Sequence, residues 1–309
     1  FPFGEVKGMY ALIIPGAGPA GPTAGIYAAR GGLNAVIVES KAVGGQAALT
    51  AEIENYPGFA SVSGYELVSL MQAQCEALGV SFVFDAPVTL SLDGDVKRVE
   101  TAYSGTLEAR AVILATGALP RTLGLERESE LMGGGVSYCA TCDGAFFRGK
   151  PVAVVGGGNT AVEDALYLEK FASEVYLIHR RDALRADAIL ADRVKNSGVH
   201  IVWDSVVTAL DGDKKLQSVT LKNVKSGDTS SLAVNGLFVA VGQKPATEGL
   251  TGVELDGGYI VTDSEMRTSL PGVFAAGDVR KKTLRQVVTA AAVGAVAAES
   301  AIKFLNGAA

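Results

Sequence analysis

The sequence predicts an α/β protein built from two Rossmann-like three-layer nucleotide-binding domains, on three observations. A strand, a glycine turn, a helix and a second strand starting at Ala11 recur in plan from Pro151. The chain, at 309 residues, is long enough for two full hydrophobic cores. Two stretches of like build, A-T-G-A-L-P ending at Pro120 and V-G-Q-K-P-A ending at Ala246, each leave a strand, pass a glycine and meet a proline.

The first repeat is A-L-I-I-P-G-A-G-P-A-G-P-T-A-G-I-Y-A-A-R-G-G-L-N-A-V-I-V-E-S. Its uncharged start looks at first like a membrane span, but Pro15, Gly16, Gly18, Pro19, Gly21 and Pro22 would break a spanning helix, so it reads as strand, turn, helix. The residues before it, Phe1–Met9, are given no part in the fold. The second repeat is P-V-A-V-V-G-G-G-N-T-A-V-E-D-A-L-Y-L-E-K-F-A-S-E-V-Y-L-I-H-R. In each, glycines let the backbone approach a pyrophosphate, and the following helix points free amides and its positive dipole end at that charge. Gly16, Gly18 and Gly21 serve one such turn; Gly156, Gly158 and Ala161, with Asn159 and Thr160 opening the helix, serve the other.

The ends of the second strands separate the two ligands. Glu39 lies as far beyond Gly16 as His179 lies beyond Gly156. A carboxylate at that place accepts hydrogen bonds from ribose hydroxyls and repels a 2′-phosphate, so the first turn suits FAD or NAD. At the second, His179, Arg180, Arg181 and Arg185 replace the acid and offer cationic forks for phosphate, which favours NADPH.

Between the repeats stands G-G-G-V-S-Y-C-A-T-C-D-G, Gly133 to Gly144. Only 3 cysteines and 2 histidines occur in the chain, so a zinc site lacks its second pair of ligands and no metal is assigned. Cys139 and Cys142 are instead spaced for a disulfide and for exchange chemistry. Asp143, if burial keeps it protonated, can hand a proton to a departing thiolate. Cys75 falls on the apolar face of a helical pattern and reads as a buried structural thiol. A disulfide takes two electrons and a nicotinamide gives a pair, so a flavin between them is the economical relay, which makes FAD the ligand of the first turn.

Composition narrows the partners. With 27 Lys+Arg, 33 Asp+Glu and a net charge of −6, the chain offers no electrostatic footprint for nucleic acid or anionic membrane. The apolar run Val287–Ala298 falls short of the roughly 18 residues a span needs, so no membrane association is expected. The few cysteines suit a reducing compartment, and the expected localisation is cytoplasmic.

These motifs, taken together, resemble the low-molecular-weight thioredoxin reductases along nearly the whole chain. The resemblance rests on G-A-G-P-A-G from Gly16, G-G-Q from Gly44, E-N-Y-P-G from Glu54, A-T-G-A from Ala115, C-A-T-C-D-G from Cys139, G-G-G-N-T-A from Gly156, H-R-R-D from His179, G-V-F-A-A-G-D-V from Gly272 and R-Q-V-V-T-A-A from Arg285. It implies an FAD-binding domain formed from residues 1–118 and 247–309, with an NADPH-binding domain, residues 119–246, inserted between them. By the same resemblance Gly44, Gly45, Gln46, Asn55, Gly117, Gly277, Asp278, Arg285, Gln286 and Val287 line the flavin. Cys142 then faces the flavin, Cys139 exchanges with a thioredoxin-like protein, Asp143 is the general acid, and the chain pairs as a homodimer. The helical segment from Gln286 to Ala298 also reads, from its small residues, as a helix whose N-terminus suits the flavin's pyrimidine edge.

Three departures stand against the family pattern: Pro15 in place of a glycine, Pro22 in the first helical turn, and the small Ala47 and Ala48 after Gln46. Both prolines are tolerable where no ladder or helix donor is lost. The paired Gly–Pro crossings suit a hinge, and alternation of NADPH and the Cys139–Cys142 disulfide at one flavin is expected. Two alternatives stay open: a small-molecule dithiol oxidase running the same parts in reverse, and a flavin-free redox sensor.

Overall fold

The computed structural model describes residues 9–50 and 53–307. The opening segment, but for Met9, lies outside them. The chain divides into two compact units, Phe1–Leu119 with Lys244–Ala309, and Pro120–Gln243.

The first unit is organised by a 7-stranded sheet. Strand Tyr10–Pro15 lies between Ala35–Glu39 and Thr106–Leu114, parallel to both, and Ser81–Phe84 extends the parallel run beyond Ala35–Glu39. Val273–Ala275, from the far end of the chain, joins the same sheet parallel to Thr106–Leu114. Lys97–Thr101 and Pro87–Ser91 complete it in antiparallel fashion. Strand alternation sends Leu12 and Ile14 to one face and Ile13 to the other, and all three are fully buried. A strand covered on both faces must be apolar throughout, which is why A-L-I-I reads as an unbroken run.

One face is covered by two alanine-rich helices, Ala20–Arg30 and Val287–Leu305. Small side chains let them approach closely: a Cβ on Gly294 would stand 2.4 Å from the carbonyl oxygen of Ala20. The last helix has 19 residues and is thus longer than the 12-residue apolar run suggested. Glu299 and Lys303 break the run in sequence but lie on the exposed side, while Ala297, Ala298, Ala301 and Leu305 continue the buried stripe at helical spacing. Its mean hydropathy of 1.5 and its length pass the test for a membrane span. The buried stripe packs it as a core helix of this unit.

Cys75 is fully buried in the helix Gly64–Ala77, where its Sγ donates to the Pro22 carbonyl at 3.1 Å. Burial, with Glu76 nearby, pushes its thiol up to about 12. It is inert packing, as its pattern indicated. Pro15 ends its strand and Pro22 is the third residue of its helix, so neither removes a bond the element needs.

The second unit has a 5-stranded parallel sheet in the order His200–Val202, Glu174–Ile178, Pro151–Gly156, Gly236–Ala240, Val136–Ser137. Helix Asn159–Leu168 buries Ala161, Val162, Ala165 and Leu168 against it. On the other face lies a three-stranded antiparallel sheet, Ser205–Gly212, Leu216–Asn223 and Thr229–Ala233. The short strand Val136–Ser137 runs directly into the cysteine pair.

Candidate active site and dinucleotide turns

In the first unit the turn after Tyr10–Pro15 is set by close backbone approaches. Gly16 has φ +107°, and a Cβ there would meet the Ala115 carbonyl oxygen at 2.2 Å; one on Gly21 would meet the Gly16 oxygen at 2.0 Å. At Gly18 the same Cβ meets nothing within 4 Å, so the turn has open space where a pyrophosphate has to come. Glu39 is fastened to this turn: Oε2 accepts from the Ala17 amide at 2.8 Å and Oε1 from that of Lys41 at 3.0 Å. The Ser40 hydroxyl also donates to Oε1 at 3.4 Å, while Oε2 keeps a lone pair for a further donor.

Distant segments converge on the turn. The Gly44 amide donates to the Ala17 carbonyl at 2.8 Å, and Gly45, with exposed Gln46 beside it, begins a short 3₁₀ helix, Gly45–Leu49. Ala48 stands where a Cβ on Gly44 would reach it at 2.8 Å, so the small residues after Gln46 fit a crowded corner. Gly117 accepts from the Ala246 amide at 3.0 Å. Gly277, at φ +77°, sits against Ala20 at the start of the first helix. Asp278 pairs with Lys282 at 2.6 Å. Asn55 donates to the Gln286 side chain at 3.2 Å, and Gln286 with Thr289 forms a capping box on the last helix. Val287 packs beside the Ile53, Val62, Leu67 and Met71 cluster. Arg285 lies over the Tyr259 ring at 4.4 Å, with its buried Nε lacking a hydrogen-bond partner among the described residues. An unpaired buried guanidinium nitrogen and an open glycine turn are what an extended, phosphate-bearing cofactor would complete.

The second unit repeats the turn with different support. A Cβ on Gly156 would meet Ala161 and the Ala240 carbonyl, each at 2.5 Å, whereas one on Gly158 meets nothing within 4 Å. Asn159 opens the helix and is clamped to the arginine loop: its Nδ2 donates to Asp187 Oδ2 at 2.7 Å, and the Asp187 amide donates to its Oδ1 at 2.8 Å. Thr160 is exposed in the first helical turn. Arg180, Arg181 and Arg185 are exposed and form no ion pair among the described residues. The Arg185 amide donates to the Gly157 carbonyl at 2.6 Å, which ties that loop to the turn.

His179 stands apart from the arginines. Its ring is buried beneath the turn, within 2.1 Å of where a Gly157 Cβ would be, and its Nε2 lies 3.0 Å from the Ala183 carbonyl. Burial holds its pKa below the usual histidine range, and Arg185 and Arg181 push in the same direction. A neutral, inward-facing imidazole supports the turn from below. Gly157 and Asp187 complete this arrangement and were not singled out from sequence. The third consecutive glycine was the available signal for the first, and nothing local marked the second.

Cys139 and Cys142 form a disulfide across a single helical turn, Ala140–Asp143, with Cα atoms 5.3 Å apart. Both are partly exposed, as exchange requires. Thr141 Oγ1 lies 3.4 Å from Cys139 Sγ. Burial raises the Asp143 carboxyl above the ordinary range, and the Ser137 hydroxyl, donating at 2.6 Å, pulls it back. Tyr138 anchors the strand before the pair: its hydroxyl donates at 2.7 Å to buried Glu128, which also accepts from the amides of Leu123, Gly124 and Leu125. Ser137 and Tyr138 lie in the stretch quoted around the cysteines but were given no role from sequence, and Glu128 lies outside any motif, because their roles depend on partners that folding supplies.

Comparison with known proteins agrees along the chain. The sequence profile of the pyridine nucleotide-disulphide oxidoreductase family matches residues 10–294. A thioredoxin reductase of Listeria innocua is 46% identical over 302 residues, 96% of this chain and 94% of the relative. One of Treponema pallidum is 46% identical over 300 residues, 96% and 97% of the two chains. Among solved structures, thioredoxin reductase from Streptococcus pyogenes MGAS5005 superposes with a TM-score of 0.88 at 45% identity, covering 97% of this chain and 99% of its own. That from Giardia duodenalis gives 0.89 at 38% identity, covering 97% and 100%. With paired glycine turns, a vicinal disulfide and these full-length likenesses in agreement, the chain belongs to the pyridine nucleotide-disulphide oxidoreductase family.

Proposed function

We propose that this protein is an NADPH-dependent flavoprotein disulfide reductase whose Cys139–Cys142 pair reduces the disulfide of thioredoxin or a thioredoxin-like protein. The observation that carries this reading is the partly exposed disulfide with a half-buried acid beside it, in a unit that also bears a dinucleotide turn flanked by arginines that form no ion pair among the described residues. FAD, when bound, accepts a hydride and passes its electron pair to a disulfide.

The chain's own residues divide the remaining work. The open turn at Gly158 and the amides opening helix Asn159–Leu168 receive a pyrophosphate, while Asp187 holds Asn159 in register. Arg180, Arg181 and Arg185 recognise the 2′-phosphate, a dianion that fits guanidinium forks. Glu39 orients the adenosine ribose of FAD, and Gly16, Gly18 and Gly21 cradle its pyrophosphate; Arg285, Asp278 and the segments at Gly44, Asn55 and Gln286 line the flavin. Cys142 takes the flavin-facing role and Cys139 attacks the partner's disulfide. Asp143, raised by burial, is protonated at higher pH than an exposed aspartate and supplies its proton to a departing thiolate. Residues 1–118 with 247–309 serve FAD and residues 119–246 serve NADPH.

Two copies associate in this reading. An open groove of about 380 Å³ on the first unit is lined by Ile26, Tyr27, Tyr56, Met71, Val288 and Ala292, an apolar surface of the kind that pairing covers. The cytoplasm is the proposed compartment, consistent with one redox pair and one buried thiol. Anaerobic titration tests the whole reading: NADPH should bleach the flavin band and oxidised thioredoxin should restore it. A colourless protein, or a band indifferent to NADPH, refutes it.

A further inference from the structure

Ser137 is 4% exposed, on the two-residue strand that leads into the redox pair. Its Oγ has three polar neighbours: Asp143 Oδ2 at 2.6 Å, the Cys139 amide nitrogen at 3.1 Å and the Cys139 carbonyl oxygen at 3.3 Å. The amide only donates and the carbonyl only accepts, so the hydroxyl is left with one proton and one lone pair to direct. When Asp143 is ionised, that proton points to the carboxylate. When Asp143 is protonated, the acid donates to the lone pair and the hydroxyl proton turns to the Cys139 carbonyl. A backbone amide in the same place would satisfy only the carboxylate, and a carbonyl only the acid. We propose that Ser137 is a positioning residue for proton transfer, a two-way hydroxyl that keeps Asp143 bonded in both charge states and ties it to the main chain of Cys139.

The inference rests on Asp143 being the proton donor to the pair. In that step an electron pair, drawn from the reduced pyridine nucleotide, breaks the S–S bond and leaves two thiolates. The Cys139 thiolate takes the Asp143 proton, and Ser137 turns its own proton to the new carboxylate. When Cys139 later attacks a partner's disulfide, its S–H proton returns to Asp143 as the new S–S bond forms. The partner's departing thiolate takes a proton from solvent.

Among the described residues, burial, which raises Asp143, and Ser137, which lowers it, are the two influences resolved on this carboxyl, and the groups on the elements packed around it are few. The strand Gly236–Ala240 and the turn Gly144–Phe147 bear no titratable side chain. The helix Asn159–Leu168 packed on the redox turn carries Glu163 and Asp164, the latter pushed up to about 7 by burial and by Glu163. Glu128 is engaged by Tyr138 and three amides.

The test compares holoenzyme with Ser137→Ala, Ser137→Thr, Asp143→Asn and the Ser137→Ala/Asp143→Asn double variant. It reads the pH profile of thioredoxin reduction and the infrared carboxyl band that Asp143→Asn removes. Retained flavin absorbance and thiol titration verify folding, and the Ala and Thr side chains bracket serine in size. Removing the hydroxyl takes away the one influence that lowers Asp143. Both the infrared midpoint and the pH limb assigned to Asp143 should therefore move to higher pH in Ser137→Ala and return in Ser137→Thr. Turnover at neutral pH should fall roughly tenfold in Ser137→Ala, against on the order of a hundredfold or more in Asp143→Asn. Slower turnover with both midpoints in place, or an equal shift when Asp143 is already Asn, overturns the role of Ser137 and leaves that of Asp143 standing. Asp143→Asn with the profile of the unaltered protein overturns both.

Discussion

In the proposed pathway Cys139 and Cys142 act in series, so neither has a substitute. Cys139→Ser and Cys142→Ser should each lower turnover with thioredoxin by at least about a thousandfold, since a hydroxyl cannot close the disulfide. Flavin reduction by NADPH, followed in a stopped-flow cell, should persist in both. A variant that still turned over would remove that sulfur from the pathway. The arginines are tested by selectivity instead. Arg180→Ala with Arg181→Ala removes two charge-assisted contacts, each worth about 1.5–3 kcal/mol, so KM for NADPH should rise by at least tenfold while that for NADH changes little. An unchanged NADPH to NADH ratio would count against recognition of the phosphate. The arginine variant leaves the redox pair untouched, so the two measurements report on separate parts of the unit.

At the scale of elements, the glycine turns depend on what packs beneath them. His179 closes the strand Glu174–Ile178 and fills the space under Gly157, with its ring edge-on to Trp203 at a centroid distance of 6.3 Å. Its pKa is depressed below the usual 6.5, chiefly by burial. The unfolded chain therefore binds a proton first as pH falls, so the contribution of His179 is complete above about pH 6.5 and is lost on acidification toward the depressed value. Urea denaturation at pH 7.5 and 5.5 should show this loss in the unaltered protein and a smaller pH difference in His179→Gln, which itself should cost about 1–2 kcal/mol at pH 7.5. An equal pH difference in both would mean that His179 does not titrate as a buried base. The last helix teaches a related point. Glu299, Ser300 and Lys303 hide its final turns from a reading of apolar runs, yet the buried positions Ala297, Ala298, Ala301 and Leu305 keep the 3.6-residue period.

Over the whole molecule, the prediction is pairing. Tyr27 is 47% exposed at the rim of the groove between the helices of the first unit. Tyr27→Lys places a charge on a surface that association would bury, so sedimentation should show a shift from dimer to monomer with flavin content retained. Monomers in the unaltered protein at micromolar concentration would refute the pairing. The fold was largely legible because its signals are local: each strand, turn and helix of the two repeats is contiguous, and glycines mark the turns, at Gly16, Gly21 and Gly156 because a Cβ would clash. The candidate site was legible only where chemistry needs a rare residue, as at Cys139, Cys142, Asp143 and the arginines. Ser137, Glu128 and Asp187 escaped notice, since serine, glutamate and aspartate are common and their meaning comes from a partner several residues or a whole loop away.

The two repeats, the sulfur pair and the contrast between Glu39 and His179 are legible along the chain, because each rests on neighbouring residues or on a fixed spacing. Tertiary structure alone decided that His179 turns inward, that Arg285 keeps a buried nitrogen unbonded over Tyr259, and that one serine hydroxyl stands between Asp143 and Cys139. Burial and hydrogen-bond pairing are properties of a group's surroundings, and those surroundings exist only once segments far apart in the chain have packed together.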